Sequence, residues 1–205
     1  MLGGVFQPIQ DELDNLIDGI LAGWGVQHNP DGTHRDVTAD TLEVGTIALT
    51  GGQIRFPVDQ QPSSNNWTLD DYQRGTWTPV IGGSGGTSGQ AYTTQIGRYE
   101  KIGRTVRASF AVVLSTEGTI TTDVEIQGLP FTVVTTAVNV HVSALRWAST
   151  ATNWVSVCAT PRSGTTAALV TGAAAAAASN GTALTAADIN NTTEFSGTLI
   201  YEAAQ

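Results

Sequence analysis

The sequence predicts a mainly β protein: an N-terminal helix, a short β-rich neck and a C-terminal antiparallel β-sandwich of the jelly-roll type. After Trp67, apolar and polar residues alternate with a period of two, which is typical of half-buried strands. These stretches are short and are separated by turn residues, without the strand–helix rhythm of a parallel sheet. Charged residues make up only 13% of the chain, about half the usual share, and there are 23 glycines. This composition also favours an all-β fold.

The first segment, residues 1–26, has the spacing of an amphipathic helix with a narrow apolar seam. Pro8 suits the first helical turn, so we expect the helix to begin near Gln7 and to end at Gly23 or Gly25. An isolated helix of ~15 residues is marginal in water. We therefore expect the seam to pack on its own chain or, as we favour, to mediate self-association or docking into a larger assembly. The seam consists of Leu2, Phe6, Ile9, Leu13, Leu16 and Ile20.

The second segment, residues 27–68, contains short extended pieces divided by turn residues. Strands this short do not close a core alone, so we predict a connector or neck in which identical chains pack around an axis. The segment contains residue types that bind metals, namely His28, His34, Asp31 and Asp36. They lack the spacing of a metal motif, and Asn-Pro-Asp-Gly is a turn sequence in its own right. We expect a structural turn and no metal site.

The third segment, residues 69–205, is predicted to be the β-sandwich domain. Its clearest strand is Val106 to Leu114, in which the even-numbered residues form an apolar face. We expect a hairpin or loop connection at Ala173 to Ala178 and a short helical turn at Thr185 to Asp188. The other predicted strands are Thr76–Ile81, Ala91–Ile96, Tyr99–Ile102, Ile120–Ile126, Ala137–Trp147, Asn153–Pro161, Thr166–Val170 and Phe195–Tyr201.

Charge and hydropathy exclude several functions. A net charge of -9 leaves no basic face for nucleic acid, so nucleic-acid binding is not expected. No segment approaches the ~18 apolar residues of a membrane span, and we expect no membrane insertion. The acidic start, with Asp11, Glu12 and Asp14, lacks the basic region of a signal peptide, which predicts assembly in the cytoplasm without secretion.

The residues that bear reactive side chains do not form a recognisable catalytic site. Asp123 and Glu125 share a strand face, but without nearby basic or aromatic residues in sequence they are predicted to be solvated. There is no nucleophile elbow and no phosphate loop. Cys158 is the only cysteine, and its alternation with Trp154 and Ser156 predicts a buried, inert thiol. We expect no enzymatic activity, no catalytic residues, no cofactor and no metal.

One motif is more specific. The sequence Thr68 to Pro79, TLDDYQRGTWTP, resembles a module found in tail fibres and other fibre-like virion proteins of tailed bacteriophages. Gln73-Arg74 stands where acidic residues are common in that module, and Asn66-Trp67 adds an aromatic residue before it. Independently of the resemblance, the aromatic, glycine and proline residues of this motif suit fold-defining roles. The resemblance continues through Tyr92–Tyr99, Lys101–Val106, Ile126–Phe131 and Phe195–Thr198, and the preceding connector is similar at His28–His34 and Ile54–Pro57.

The resemblance implies a virion location, a homotrimer and contacts with other virion proteins of the tail, baseplate, head–tail connector or capsid. It implies a short tail fibre attached by residues 1–26 that presents residues 69–205 to a host-surface glycan or protein. Trp147 and Trp154 are the predicted receptor contacts, since aromatic rings stack on sugars. A head fibre, a capsid decoration protein or an adaptor for a longer fibre is the alternative, because the chain is short for a main fibre. A glycan-degrading tailspike is the third interpretation.

Overall fold

The computed structural model describes Ile54, Leu69 and residues 71–135, 141–174 and 181–204. The predicted helix, the neck apart from Ile54, and the boundaries at residues 26 and 68 lie outside the described residues. The described part contains twelve strands and no α-helix. The strands are β1 (Tyr72–Trp77), β2 (Val80–Gly83), β3 (Gly86–Ser88), β4 (Ala91–Ile102), β5 (Thr105–Thr116), β6 (Thr119–Thr121), β7 (Val124–Gln127), β8 (Ser143–Ala148), β9 (Trp154–Pro161), β10 (Ala167–Ala174), β11 (Thr182–Ala183) and β12 (Glu194–Glu202).

Ten strands form one curled antiparallel sheet, which confirms the predicted mainly β, antiparallel class. Nine of them follow the order β1-β4-β5-β12-β8-β9-β10-β7-β2, and β11 pairs with β10. Strand β8 pairs with both β12 and β9 and so joins the two halves of the sheet. The short strands β3 and β6 form a separate antiparallel pair.

The core lies where the inner faces of the two halves meet. Strand β5 buries its even-numbered residues from Val106 to Leu114, as its alternation predicts. Strand β12 adds Phe195, Leu199 and Tyr201, all fully buried. The other half contributes to the same cluster with Ile81, Ile126, Val157, Val170 and Leu184. Both halves are therefore stabilised by one apolar core.

Several strand boundaries differ from the sequence prediction for identifiable reasons. The predicted strand Thr76–Ile81 is two strands, β1 and β2, which are separated by Pro79 and form the two ends of the strand order. The predicted strand Ile120–Ile126 is also divided, because Thr122 has a φ of 65°, which a strand cannot continue through. By contrast, β4 is one strand of 12 residues where two were predicted.

Strand β9 shows a wrong prediction of side-chain direction. Its buried positions are Val157, Ala159 and Pro161, so Cys158 faces the opposite side and is half-buried rather than enclosed in the core. Val157, Ala159 and Pro161 are apolar and lie on the core side of the strand, so the even-numbered residues between them face away from the core. The predicted helical turn is confirmed as a 3-10 turn at Ala186–Asp188, where the Thr185 N–H donates to Asp188 Oδ2 at 2.9 Å.

Candidate functional site

The inner face of β1 and β4 is built from reciprocal pairs of glycine and aromatic residues. Gly75 lies opposite Tyr99, and Trp77 lies opposite Gly97. A Cβ added at Gly75 would lie 2.8 Å from the Tyr99 ring, and one at Gly97 would lie 2.5 Å from the Trp77 carbonyl oxygen. Each glycine thus leaves room for the residue opposite. The Trp77 ring also packs edge-on against Phe110, with 5.9 Å between centroids.

The same face carries a buried ion pair. Lys101 binds the carboxylate of Asp71, and both side chains are almost fully enclosed. Lys101 Nζ lies 5.3 Å from the centre of the Phe131 ring, and that ring packs edge-on against Tyr99 with 5.2 Å between centroids. The Gly103 N–H donates to the Asp71 carbonyl oxygen at 2.8 Å. We call Asp71, Gly75, Trp77, Gly97, Tyr99, Lys101 and Phe131 the inner cluster; all seven belong to the phage-module segments.

Two tyrosines connect this region to other parts of the sheet: Tyr201 on β12, which is fully buried, and Tyr92 on β4, which is partly buried. The Phe131 N–H donates to the Tyr201 hydroxyl at 3.3 Å, and burial raises the pKa of Tyr201 well above its ordinary value. The Ile81 N–H donates to the Tyr92 hydroxyl at 3.0 Å, and burial likewise raises the pKa of Tyr92. Both phenols are therefore neutral at physiological pH and act as structural hydrogen-bonding groups.

A second buried carboxylate corrects the prediction for the pair Asp123 and Glu125. Glu125 is not solvated: it is buried in β7 and forms an ion pair with Arg162. Its other oxygen, Oε2, accepts a hydrogen bond of 3.0 Å from Gln127 Nε2. Asp123 is only half-buried and makes an isolated bridge with Thr185. Arg162 and Gln127 therefore satisfy the Glu125 carboxylate within the fold.

The two predicted receptor contacts, Trp147 and Trp154, are both partly exposed and packed against the core. Trp154 covers Gly172, where a Cβ would lie 2.5 Å from the indole ring. The indole nitrogen of Trp154 is buried without a hydrogen-bond partner among the described residues. Much of each ring is therefore already used in packing. Receptor contact through these rings stays a prediction.

The predicted docking residues lie in residues 1–26, outside the described residues. They are Leu2, Phe6, Ile9, Leu13, Leu16 and Ile20.

The outer face of β1 and β4 carries a cleft that the sequence analysis did not predict. The cleft has a volume of about 500 Å³ and is open to solvent. Its side walls come from alternate residues of the two strands, which the register places side by side: Arg74 opposite Glu100, and Thr76 opposite Arg98. The lining residues are Tyr72, Arg74, Gly75, Thr76, Arg98, Tyr99 and Glu100.

Cations dominate this outer face. Arg74, Arg98 and Arg107 are exposed and form no ion pair with any described residue. Arg107 lies on β5, directly opposite Glu100. Glu100 Oε1 accepts a hydrogen bond of 3.1 Å from the Tyr72 hydroxyl. The alternation of polar residues along β1 could have indicated an outer face, but the cleft depends on the pairing of β1 with β4, which the sequence does not specify.

The described residues contain no group of three or more His, Cys, Asp or Glu side chains positioned to hold a metal ion. No helix in the same part of the chain is long and apolar enough to span a bilayer.

Comparisons of the chain with protein-family models, with curated proteins and with solved structures found no match. The function proposed below therefore depends on the residues of this chain and on the motif resemblance.

Proposed function

We propose that this chain is a non-enzymatic structural protein of a tailed-phage virion and serves as a short tail fibre. The observation that supports this most is the inner cluster. Its members come from four separate segments of the phage-like module, with Asp71 and Lys101 30 residues apart, yet they contact one another in pairs. A set of motif residues with a shared structural role is expected of a conserved architecture rather than of chance matches.

Within this proposal, the three parts of the chain have separate roles. Residues 1–26 attach the fibre to the virion through their apolar seam, residues 27–68 form the neck, and residues 69–205 face the host. The curled sheet with its single core supports a sandwich of the jelly-roll type for the last segment. The chain acts as a homotrimer, and a trimer presents three copies of one weak site. Such repetition raises avidity above single-site affinity by about 10²–10⁴.

Immunogold labelling of intact particles tests the location. The antibody is raised against residues 69–205, and particles of the phage that encodes the chain are imaged with and without competing soluble protein. Label at the tail tip or baseplate supports a tail fibre. Label over the capsid would replace it with a head fibre or decoration protein, and no label on any particle would contradict the virion proposal.

A truncation tests the attachment role of residues 1–26. We expect the shortened chain to be absent from purified virions while keeping its β-rich circular dichroism spectrum, because the sheet has its own core. Incorporation of the shortened chain at the normal copy number would contradict that role.

A further inference from the structure

The charges of the chain are divided unevenly along its length. Residues 1–70 contain two basic and ten acidic residues, a net charge of -8, whereas residues 71–205 contain seven basic and eight acidic residues, a net charge of -1. The acidic balance of the protein therefore belongs to its first third. The C-terminal domain is close to neutral, so local clusters of charge decide what it attracts.

The seven basic residues of the C-terminal domain fall into two groups. Four are paired with carboxylates: Lys101 with Asp71, Arg104 with Glu202, Arg146 with Glu194 and Arg162 with Glu125. The remaining three are Arg74, Arg98 and Arg107. They have no ion-pair partner among the described residues, and all three lie on the outer face of the neighbouring strands β1, β4 and β5.

The strand register brings two of these arginines to one cleft. Arg74 lies opposite Glu100, and Arg98 lies opposite Thr76 one step further along the same face. Arg74 and Arg98 are thus diagonal neighbours, whose backbone positions are roughly 7–8 Å apart in an antiparallel pair. Guanidinium groups on long side chains at this separation can reach one carboxylate together. Each can donate two parallel hydrogen bonds to it.

The rest of the cleft favours a sugar polymer over other anions. Tyr72 supplies an exposed ring, Thr76 a hydroxyl group and Glu100 a carboxylate that already accepts a hydrogen bond from the Tyr72 hydroxyl. The volume of about 500 Å³ is in the range of ligand sites. Because the Glu100 carboxylate lies in the same cleft, a densely charged polyanion would meet repulsion there. A chain with one carboxylate per ring and neutral hydroxyl groups between them would not.

We propose that the cleft between β1 and β4 binds an acidic polysaccharide through its carboxylates, with Arg74 and Arg98 as the anion-binding residues. Arg107 adds long-range attraction from β5. Ile96 and Ile102 are exposed on β4, one of the two cleft strands, and offer apolar surface to the non-polar faces of sugar rings. This inference rests on the proposed function for the source of the ligand, the surface of the host cell.

The first test measures the full-length chain against two probes by isothermal titration calorimetry. One probe is an oligomer of galacturonic acid, and the other is the same oligomer with its carboxylates methyl-esterified. We expect the free acid to bind at least tenfold more tightly than the ester, and raising NaCl from 50 to 500 mM to weaken that binding severalfold. Equal binding of acid and ester, or no binding of the acid, would overturn the inference. So would a preference for inorganic polyphosphate.

Matched variants assign the site. The double variant Arg74→Gln/Arg98→Gln is expected to lose at least tenfold in affinity for the free acid. Arg104→Gln removes one positive charge from a residue that is not among the cleft's lining residues and is expected to bind within twofold of the wild type. Thermal unfolding of each variant verifies that it is folded. A double variant that is folded and binds like the wild type would refute the assignment.

Binding to host cells separates this inference from the proposed function. Fluorescently labelled full-length protein is applied to the bacterium that the phage infects, in wild-type and double-variant forms. Loss of binding in the double variant supports both the host-binding function and the assignment of the cleft. Equal binding of the two forms would leave the host-binding function standing and reject the cleft, whereas no binding of the wild type would reject host binding itself.

Discussion

The two faces of the β1–β4 ribbon differ in how their polar groups are satisfied. On the inner face, Asp71 and Lys101 neutralise one another, and Gly75 and Gly97 lie too close to the residues opposite them to carry a Cβ. On the outer face, Arg74 and Arg98 stand exposed and have no ion-pair partner among the described residues. The same two strands thus carry a closed arrangement on one side and an open one on the other.

Under our proposal, the same two strands serve folding on one face and recognition on the other. Because side chains alternate along a strand, the odd-numbered residues of β1 face inward and the even-numbered residues face outward. The inward residues are constrained by every neighbour they touch. The outward residues are constrained by few, so they are free to be used for recognition.

The largest effect is expected from Trp77→Ala, on the inner face. Trp77 is 8% exposed and packs against Phe110 and Gly97, so its removal leaves a cavity at the centre of the ribbon. We expect the free energy of unfolding to fall by about 3–5 kcal/mol. Urea denaturation followed by tryptophan fluorescence and circular dichroism measures it, and an unchanged midpoint would show that the ring is not part of the core.

The next largest loss of stability is expected from breaking the buried ion pair. Lys101→Met leaves the Asp71 carboxylate buried without its cation, which costs about 3–4 kcal/mol of stability. The double variant Asp71→Leu/Lys101→Met removes both charges and is expected to recover most of that loss. Arg104→Gln is the control, because its pair with Glu202 is about half exposed and worth less than ~1 kcal/mol. Equal losses in Lys101→Met and Arg104→Gln would contradict the role of the buried pair.

A smaller loss of stability is expected at alkaline pH. Because burial raises the pKa of Tyr201 above the ordinary phenol value of 10.0, the folded chain keeps its proton where the unfolded chain releases it. Stability is therefore independent of this group below pH 10 and falls above it, by up to about 1.4 kcal/mol per pH unit. Tyr201→Phe is expected to reduce this alkaline loss at a cost of about 1 kcal/mol at neutral pH. Denaturation curves between pH 7 and 11 compare the two proteins, and parallel alkaline losses would contradict the assignment to Tyr201.

The smallest effect on stability is expected on the outer face. Arg74→Gln and Arg98→Gln, singly or together, are expected to change the free energy of unfolding by no more than about 0.5 kcal/mol, because both side chains are exposed and neither forms an ion pair with a described residue. Differential scanning calorimetry measures the shift. A loss comparable to that of Lys101→Met would show that the outer arginines also hold the ribbon together.

Local patterns predicted much of the fold. The alternation from Val106 to Leu114 identified β5 and its buried face, and the turn at Thr185 to Asp188 was found because its capping interactions are local. Predictions failed where partners are distant. Glu125 is buried only because Arg162, 37 residues further on, neutralises it. Cys158 faces away from the core, although it is itself apolar, because its neighbours Val157 and Ala159 occupy the core side of the strand.

The candidate site was less predictable for the same reason. Arg74 and Arg98 are unremarkable single cations in the sequence, and only the register of β1 with β4 makes them neighbours. The inner cluster was predicted in part, since the aromatic, glycine and proline residues of its motif suggested fold-defining roles. Which glycine meets which ring required the structure.

The most direct test of the division between the two faces compares Lys101→Met with Arg74→Gln/Arg98→Gln in two assays, urea denaturation and binding of oligogalacturonate under native conditions. We predict that Lys101→Met lowers the denaturation midpoint and keeps its affinity, whereas the double variant keeps its midpoint and loses at least tenfold in affinity. If both proteins lose stability to the same extent, or if both keep their affinity, the two faces do not divide folding from recognition.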